Sequence, residues 1–251
     1  MNPNALIEQA EALGEHPEGE DALLRFSVMY GQWTGNFSAG NFARAAEQAK
    51  QFLALADKLG RSAPLLVAHR LMGGTLFISG EFQTARLHLD RAITLYAPEE
   101  DRSLATRFGQ DIGVASLVYR SFVLYRLGYP DGARVDVDEA LKCARDLGQA
   151  GTLLYALLGA ALFEVVCGRF DVAEAPVEEM SALSEKLGLP LWKGFGELLR
   201  GCIFVATDRG DQGDPFDWLR FIGAGRDADD DILTLRPHVV GPRARGVRPS
   251  C

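Results

Sequence analysis

The chain has 251 residues, of which 47% are hydrophobic and 24% are charged, a composition typical of a globular protein. Its net charge of −8 disfavours a nucleic-acid partner, which selects for a basic face. Residues 1–20 are acidic and lack a signal-peptide pattern, and no apolar run reaches the roughly 18 residues that span a membrane, so we expect a soluble cytoplasmic protein.

A short motif recurs along the chain after residues 1–20, for which we predict a flanking helix and loop. The motif begins with Gly and carries Ala five residues later, and its copies start at Gly40, Gly80, Gly128 and Gly168. The spacings between copies are 40, 48 and 40 residues. Self-similarity at a period of this size indicates a repeat array.

Each copy of the motif opens a stretch with helical periodicity. Small or apolar residues lie 2, 5, 9, 12 and 16 positions after the Gly, and steps of three and four place them on one face of an α-helix. The alanines among them allow a second helix to approach closely. The predicted buried stripes are Phe42, Ala45, Ala49, Phe52 and Ala56; Phe82, Ala85, Leu89, Ala92 and Tyr96; Pro130, Ala133, Val137, Ala140 and Ala144; and Phe170, Ala173, Val177, Met180 and Ser184.

Helix breakers delimit these stretches. Gly60, Gly148 and Gly188 each follow a Leu and lie 20 residues after a motif begins, where a left-handed helix cap fits. Pro98 stops the second copy instead. An apolar helical run precedes each motif, so the repeating unit is a helix, a turn, a second helix and a stop.

These signals predict an all-α fold: a tetratricopeptide-like helical repeat array, or α-α superhelix, of four to five helix pairs over residues 21–210. The predicted units are residues 21–60, 63–98, 114–148 and 152–188, followed by a partial unit at residues 191–210. The period exceeds the roughly 34 residues of the tetratricopeptide family.

Two segments depart from the repeat pattern. Residues 99–113 are an insertion that stretches one spacing to 48 residues, and we predict a loop with one helical turn. Residues 211–251 lose the periodicity and alternate clustered Asp with Arg, Pro and Gly, which predicts an irregular, disordered tail.

No catalytic or metal-binding motif is visible. The sequence has no G-x-x-x-x-G-K-[S/T] phosphate loop, and its four cysteines lack C-x-x-C spacing. His69 and His88 lie on two predicted helices near Asp90 and Asp111, but no spacing makes three or four metal ligands converge. We therefore expect no enzyme activity, no cofactor and no metal.

Several stretches resemble one group of proteins. Besides the four motifs and the Leu-Gly stops, they are Gly31-Gln32-Trp33, His69-Arg70-Leu71-Met72-Gly73, Arg107-Phe108-Gly109-Gln110-Asp111-Ile112-Gly113-Val114 and Leu127-Gly128-Tyr129-Pro130. Over about residues 20–210 the chain resembles the C-terminal helical-repeat region of large bacterial signalling proteins. In these, a class III adenylate or guanylate cyclase domain and an AAA-type ATPase domain precede tetratricopeptide-like repeats. Similar repeats occur in ATPase-linked transcriptional regulators.

The resemblance implies a fragment or stand-alone relative of a regulatory arm, since the chain has neither the phosphate loop nor a cyclase domain with metal-binding aspartates. We expect a non-catalytic interaction or regulatory module with a protein partner, for which the resemblance implies a cyclase or ATPase domain. Two alternatives stay open. In the first, the chain is related to adenylate cyclases or ATPases only through full-length relatives. In the second, it is a sensor arm that binds a small effector. A truncated gene end is a further hypothesis for the tail.

Stacked repeats present the first helix of each pair on a concave face, which we predict to be the binding surface. In the tetratricopeptide register this groove is lined by Arg70, Phe77, Tyr119, Phe122, Tyr125 and Arg126. Aromatic residues and Arg are typical interface anchors. A second candidate surface is the inserted segment from Arg107 to Asp111, which closes over one edge of the groove in this interpretation.

Overall fold

The computed structural model describes residues 20–207, and this part of the chain contains helices and no strand. The helices are α1 (Glu20–Ser38), α2 (Phe42–Leu59), α3 (Ser62–Ile78), α4 (Phe82–Leu95), α5 (Pro98–Asp101), α6 (Leu104–Phe108), α7 (Ile112–Arg126), α8 (Pro130–Leu147), α9 (Ala150–Val166), α10 (Phe170–Leu187) and α11 (Pro190–Ala206). They pack in chain order, which confirms the predicted all-α helical repeat array. The predictions for residues 1–19 and for the tail lie outside the described residues.

The long helices form four pairs, α1–α2, α3–α4, α7–α8 and α9–α10, followed by α11. Each second helix packs against its own first helix and against the first helix that follows it. From α3 onward, neighbouring first helices also pack against one another. We call α1, α3, α7, α9 and α11 the first-helix row, and α2, α4, α8 and α10 the second-helix row. None of the described helices has the length and apolar character needed to cross a membrane.

The recurring glycines allow the chain to turn where the helices end. Gly80 connects α3 to α4 with a φ of 80°, a left-handed conformation that a Cβ atom disfavours. Gly60 caps α2 in the same region, and its N–H donates to the carbonyl of Ala56. Helix α4 ends differently, at the extended residue Tyr96, two positions before Pro98. Both kinds of stop predicted from the sequence are therefore present.

The interiors of the predicted stripes are buried. The alanine five positions after each motif glycine is 0% exposed in all four pairs, at Ala45, Ala85, Ala133 and Ala173. The prediction is less accurate at the helix ends, where Pro130 is exposed. These small residues bring the two helix rows into direct contact.

The insertion forms two short helices, α5 and α6, rather than a loop with one turn. Among its charged residues, Ala105 and Phe108 lie three positions apart, a helical spacing, and they are only 4% and 7% exposed. The ring of Phe108 packs 4.6 Å, centroid to centroid, from the ring of Tyr30 on α1. The insertion is therefore folded onto the first pair.

Two buried carboxylates connect neighbouring helices through arginines. Asp136 of α8 accepts two hydrogen bonds of 2.7 Å from Arg120 of α7. Glu164 of α9 accepts hydrogen bonds from Arg134 and Arg169. Burial alone would raise the pKa of Glu164, but the bonds from the two guanidinium groups outweigh it and lower the pKa. The array therefore compensates these buried charges within its helix contacts.

Candidate functional site

Nine aromatic rings form a continuous row across the first helices and the insertion. In order along the row they are Phe108, Tyr30, Trp33, Phe37, Tyr119, Phe77, Phe122, Phe163 and Tyr125, and successive ring centroids are 4.6 to 6.4 Å apart. We call this set the aromatic row. Phe37, Phe77, Phe122 and Tyr125 are partly exposed, so the aromatic row reaches the protein surface.

Helix α1 supplies three of the rings. Trp33 and Phe37 lie three and seven positions after Tyr30, so the three rings share one helical face. The indole Nε1 of Trp33 donates a hydrogen bond of 2.9 Å to Oγ1 of Thr75 on α3, and this hydroxyl donates to the carbonyl of Leu71. The hydrogen bond fixes the indole against α3.

Arg70 of α3 lies beneath the aromatic row and is only 2% exposed. Its guanidinium carbon is 5.1 Å from the ring centroids of Trp33 and Tyr119, and 6.0 Å from that of Tyr30. Its Nη2 donates to the hydroxyl of Tyr155 at 3.3 Å, whereas Nε and Nη1 have no hydrogen-bond partner among the described residues. Four aromatic side chains therefore enclose a cation with unused donors.

The electrostatic surroundings of Arg70 are unusual for a buried charge. Burial lowers the pKa of Arg70, but the tyrosines Tyr30, Tyr155 and Tyr119, whose ionised forms would attract the cation, and the hydrogen bond to Tyr155 outweigh burial and hold the pKa above its ordinary value. No carboxylate pairs with Arg70 in the part of the chain that the structure describes. A ring facing a cation contributes about 0.5–2 kcal/mol, whereas an unpaired buried ion costs several kcal/mol. An anion would therefore be bound favourably by these donors.

The insertion covers one end of the aromatic row. In addition to the contact of Phe108, Nε2 of Gln110 donates to the hydroxyl of Tyr30 at 2.8 Å. Nη1 of Arg107 donates to Oγ of Ser27 on α1 at 3.1 Å. Burial raises the pKa of Tyr30, so its hydroxyl stays protonated at neutral pH. These contacts hold the Tyr30 ring over Arg70.

Five of the eight predicted groove residues come together at this site. Phe77, Tyr119, Phe122 and Tyr125 belong to the aromatic row, and Arg70 lies directly beneath it. Arg70 differs from the expectation in its burial, because rings from three other helices enclose it. The role of these residues in binding stays a prediction.

The other three predicted residues are not members of the aromatic row. Arg126 is exposed at the end of α7, and Arg107 is exposed on α6. Asp111 is 0% exposed: its Oδ1 accepts from the backbone N–H of Val114 at 2.9 Å, and its Oδ2 from the hydroxyl of Tyr96 at 2.8 Å. Burial raises the pKa of Asp111. Its side chain caps α7, and its predicted role in binding stays a prediction.

Sequence reasoning missed five of the nine rings of the aromatic row and three of the four aromatic side chains that enclose Arg70. The missed residues are Tyr30, Trp33, Phe37, Phe108 and Phe163 of the row, and Tyr155 beside Arg70. The spacing of the three α1 aromatics is a readable helical signal. The long-range contacts of Phe163 and Tyr155 have no local signature.

The two histidines do meet, but without further metal ligands. Their Nδ1 atoms are 2.9 Å apart, between His69 on α3 and His88 on α4. Asp90 pairs with an arginine of α7, and Asp111 caps that helix. Residues 20–207 contain no group of three or more side chains that could hold a metal ion. The pair acts instead as a neutral hydrogen-bonded contact between two helices.

The fold and the site define a class, a helical repeat array with an aromatic row on its first helices. In comparisons with known proteins, no family model matches the chain and no curated protein is significantly similar to it.

Proposed function

We propose that the chain is a non-catalytic interaction or regulatory module of the tetratricopeptide-like class, which binds a segment of a protein partner along the aromatic row. The observation that carries this proposal is the continuity of the row, with Phe37, Phe77, Phe122 and Tyr125 partly exposed. Aromatic side chains supply large contact areas with few rotatable bonds, and they are typical anchors of protein interfaces.

The proposed partner is a cyclase or AAA-type ATPase domain, and the chain is a fragment or relative of the C-terminal arm of such a signalling protein. The resemblance of the four motifs and of Gly31-Gln32-Trp33 supports this choice. Trp33 belongs both to the resembling stretch and to the aromatic row.

Capture from the native lysate with matched surface variants tests partner binding. Arg126→Glu reverses an exposed charge beside Tyr125, and Arg44→Glu reverses an exposed charge on the second-row helix α2. We expect the wild-type chain and Arg44→Glu to recover a cyclase or ATPase, measured by mass spectrometry. Recovery with Arg126→Glu should fall about tenfold, which corresponds to a loss of about 1.4 kcal/mol. Equal recovery with both variants, or no such partner with the wild type, would contradict the proposal.

A second candidate function is a sensor arm that binds a small effector, as in the ATPase-linked regulators that the repeats resemble. Arg70 favours it, because no described residue accepts a hydrogen bond from its Nε or Nη1 beneath the aromatic row. A partner segment lying on the surface does not reach these donors, since Arg70 is 2% exposed. A small molecule enclosed by the helices reaches them.

A further inference from the structure

We propose that Arg70 is the anion-binding group of an enclosed site for a small organic monocarboxylate, formed by α1, α3, α7 and α9. The inference rests on the second candidate function, since it names the ligand class of that effector site. It does not depend on partner binding along the exposed part of the aromatic row.

The unused donors of Arg70 define the ligand's charged group. A guanidinium carries five N–H groups, one on Nε and two on each Nη. One of the Nη2 donors is taken by Tyr155, and those of Nε and Nη1 have no acceptor. A carboxylate presents two oxygens in one plane and matches an edge of the guanidinium fork. Its binding would pair the buried charge and satisfy donors that the described residues leave unpaired.

The surroundings of the charge select a single negative charge on an organic body. The side chains that contact the Arg70 guanidinium among the described residues are Tyr30, Trp33, Tyr119 and Tyr155, and none of them supplies a second positive charge to balance a dianion. An uncompensated buried charge is strongly unfavourable, which disfavours the phosphate dianion. The ring faces of Trp33, Tyr30 and Tyr119 surround the guanidinium and offer apolar contact to a planar ligand.

The route to Arg70 passes the insertion. Tyr30 is 7% exposed and covers Arg70 from α1, and Gln110 and Phe108 hold it in place. A ligand reaches the guanidinium when Tyr30 and the insertion move aside. The insertion therefore controls access to the site, and Gln110→Ala, which removes one of its contacts, should speed ligand association.

Thermal unfolding of the full chain with benzoate as the probe tests the proposal, at constant ionic strength. At about ten times Kd, benzoate should raise the Tm by about 3–5 °C. The neutral analogue benzamide and inorganic phosphate should leave the Tm unchanged. Arg70→Met keeps a long side chain but removes the charge, and it should abolish the benzoate effect. Arg70→Lys keeps the charge but loses the planar fork, and it should weaken benzoate binding at least about tenfold.

A measurement on the wild-type protein keeps the test valid if the variants do not fold. The Nε–H resonance of Arg70 in a ¹H–¹⁵N spectrum should shift as benzoate is titrated and stay unchanged with benzamide. The same Tm rise in Arg70→Met would overturn the role of Arg70. A response to phosphate but not to benzoate would overturn the ligand class while keeping a small-effector site. No response of the Tm or of the resonance to either anion would overturn the inference and the effector function together, and it would leave partner binding unaffected.

Discussion

The neighbouring side chains of His69 and His88 make the stability of the folded protein depend on pH. Burial, the His88 ring and Arg91 lower the pKa of His69 from 6.5 to about 4, and burial also lowers the pKa of His88. Between pH 6.5 and 4 the unfolded chain therefore binds more protons than the folded chain. Their contribution to stability is complete above pH 6.5 and is lost as the pH falls towards 4.

We predict that the free energy of unfolding falls by about 1 kcal/mol from pH 7 to pH 5 through this pair, after a discount for its partial exposure. Urea unfolding at the two pH values measures the change. The double variant His69→Gln/His88→Gln removes both titrating rings and keeps groups that form hydrogen bonds, so it should lose this part of the pH dependence. An identical pH dependence in the wild type and the double variant would show that other groups cause it.

At the candidate site, the sequence predicted which residues take part, but it did not predict which of them are buried. Arg70 was predicted to line the groove from the tetratricopeptide register, and Asp111 was predicted to lie in the inserted segment that closes over one edge of the groove. Arg70 is enclosed by rings that include Tyr155, 85 positions further along the chain. Asp111 is buried because it caps α7 and accepts a hydrogen bond from Tyr96. Such long-range partners leave no trace in the local pattern.

Contact between α3 and α4 depends on the absence of a side chain at Gly73. A Cβ atom there would clash with Cγ of Leu89, whose side chain is 0% exposed and packed between the helices. We predict that Gly73→Ala destabilises the protein by about 1–3 kcal/mol through overpacking, despite the higher helix propensity of Ala. Chemical denaturation of the purified variant measures the loss.

Gly35 on α1 is the matched control for this substitution, since no atom lies within 4 Å of its ideal Cβ position. Gly35→Ala should stabilise the protein by about 0.5–1 kcal/mol, as expected for an exposed position inside a helix. If Gly73→Ala were as stable as Gly35→Ala, α3 and α4 would have room to separate, and the close packing of the pair would be refuted.

The second helices were more predictable than the first, for a physical reason. In α8 and α10 a narrow buried stripe alternates with charged residues, so periodicity identifies the buried face. Helix α9 is apolar almost all round, because it contacts α7, α8, α10 and α11. Its sequence indicates a buried helix but not which residues, such as Phe163, face the aromatic row. The insertion was predicted as a loop with one helical turn rather than as two short helices, because its charged residues outnumber Ala105 and Phe108.

At the scale of the whole array, Arg120 connects the second and third pairs where the insertion interrupts the repeat. It bonds Asp136 of α8 at 2.7 Å and Asp90 of α4 at 2.9 Å. The free energy of unfolding of a repeat array is approximately the sum of the contributions of its units and of the interfaces between neighbouring units. When one interface is weakened, the units on its two sides can therefore unfold independently. Arg120→Ala leaves the carboxylate of Asp136 buried and unpaired, which should cost about 3 kcal/mol within the third pair, and it also removes the ion pair with Asp90 that crosses to the second pair.

Native-state hydrogen exchange distinguishes this local effect from a general loss of stability. In Arg120→Ala, the amides of α1–α4 and those of α7–α10 should exchange with two different opening free energies, whereas the wild type should show one. Arg86→Ala is the matched control, because Arg86 also pairs with Asp90, at 3.4 Å and with both side chains about 40% exposed. Exposed pairs contribute at most about 1 kcal/mol, so this variant should keep a single opening free energy. A single opening in Arg120→Ala as well would mean that helix packing between α4 and α7 alone couples the two halves of the array.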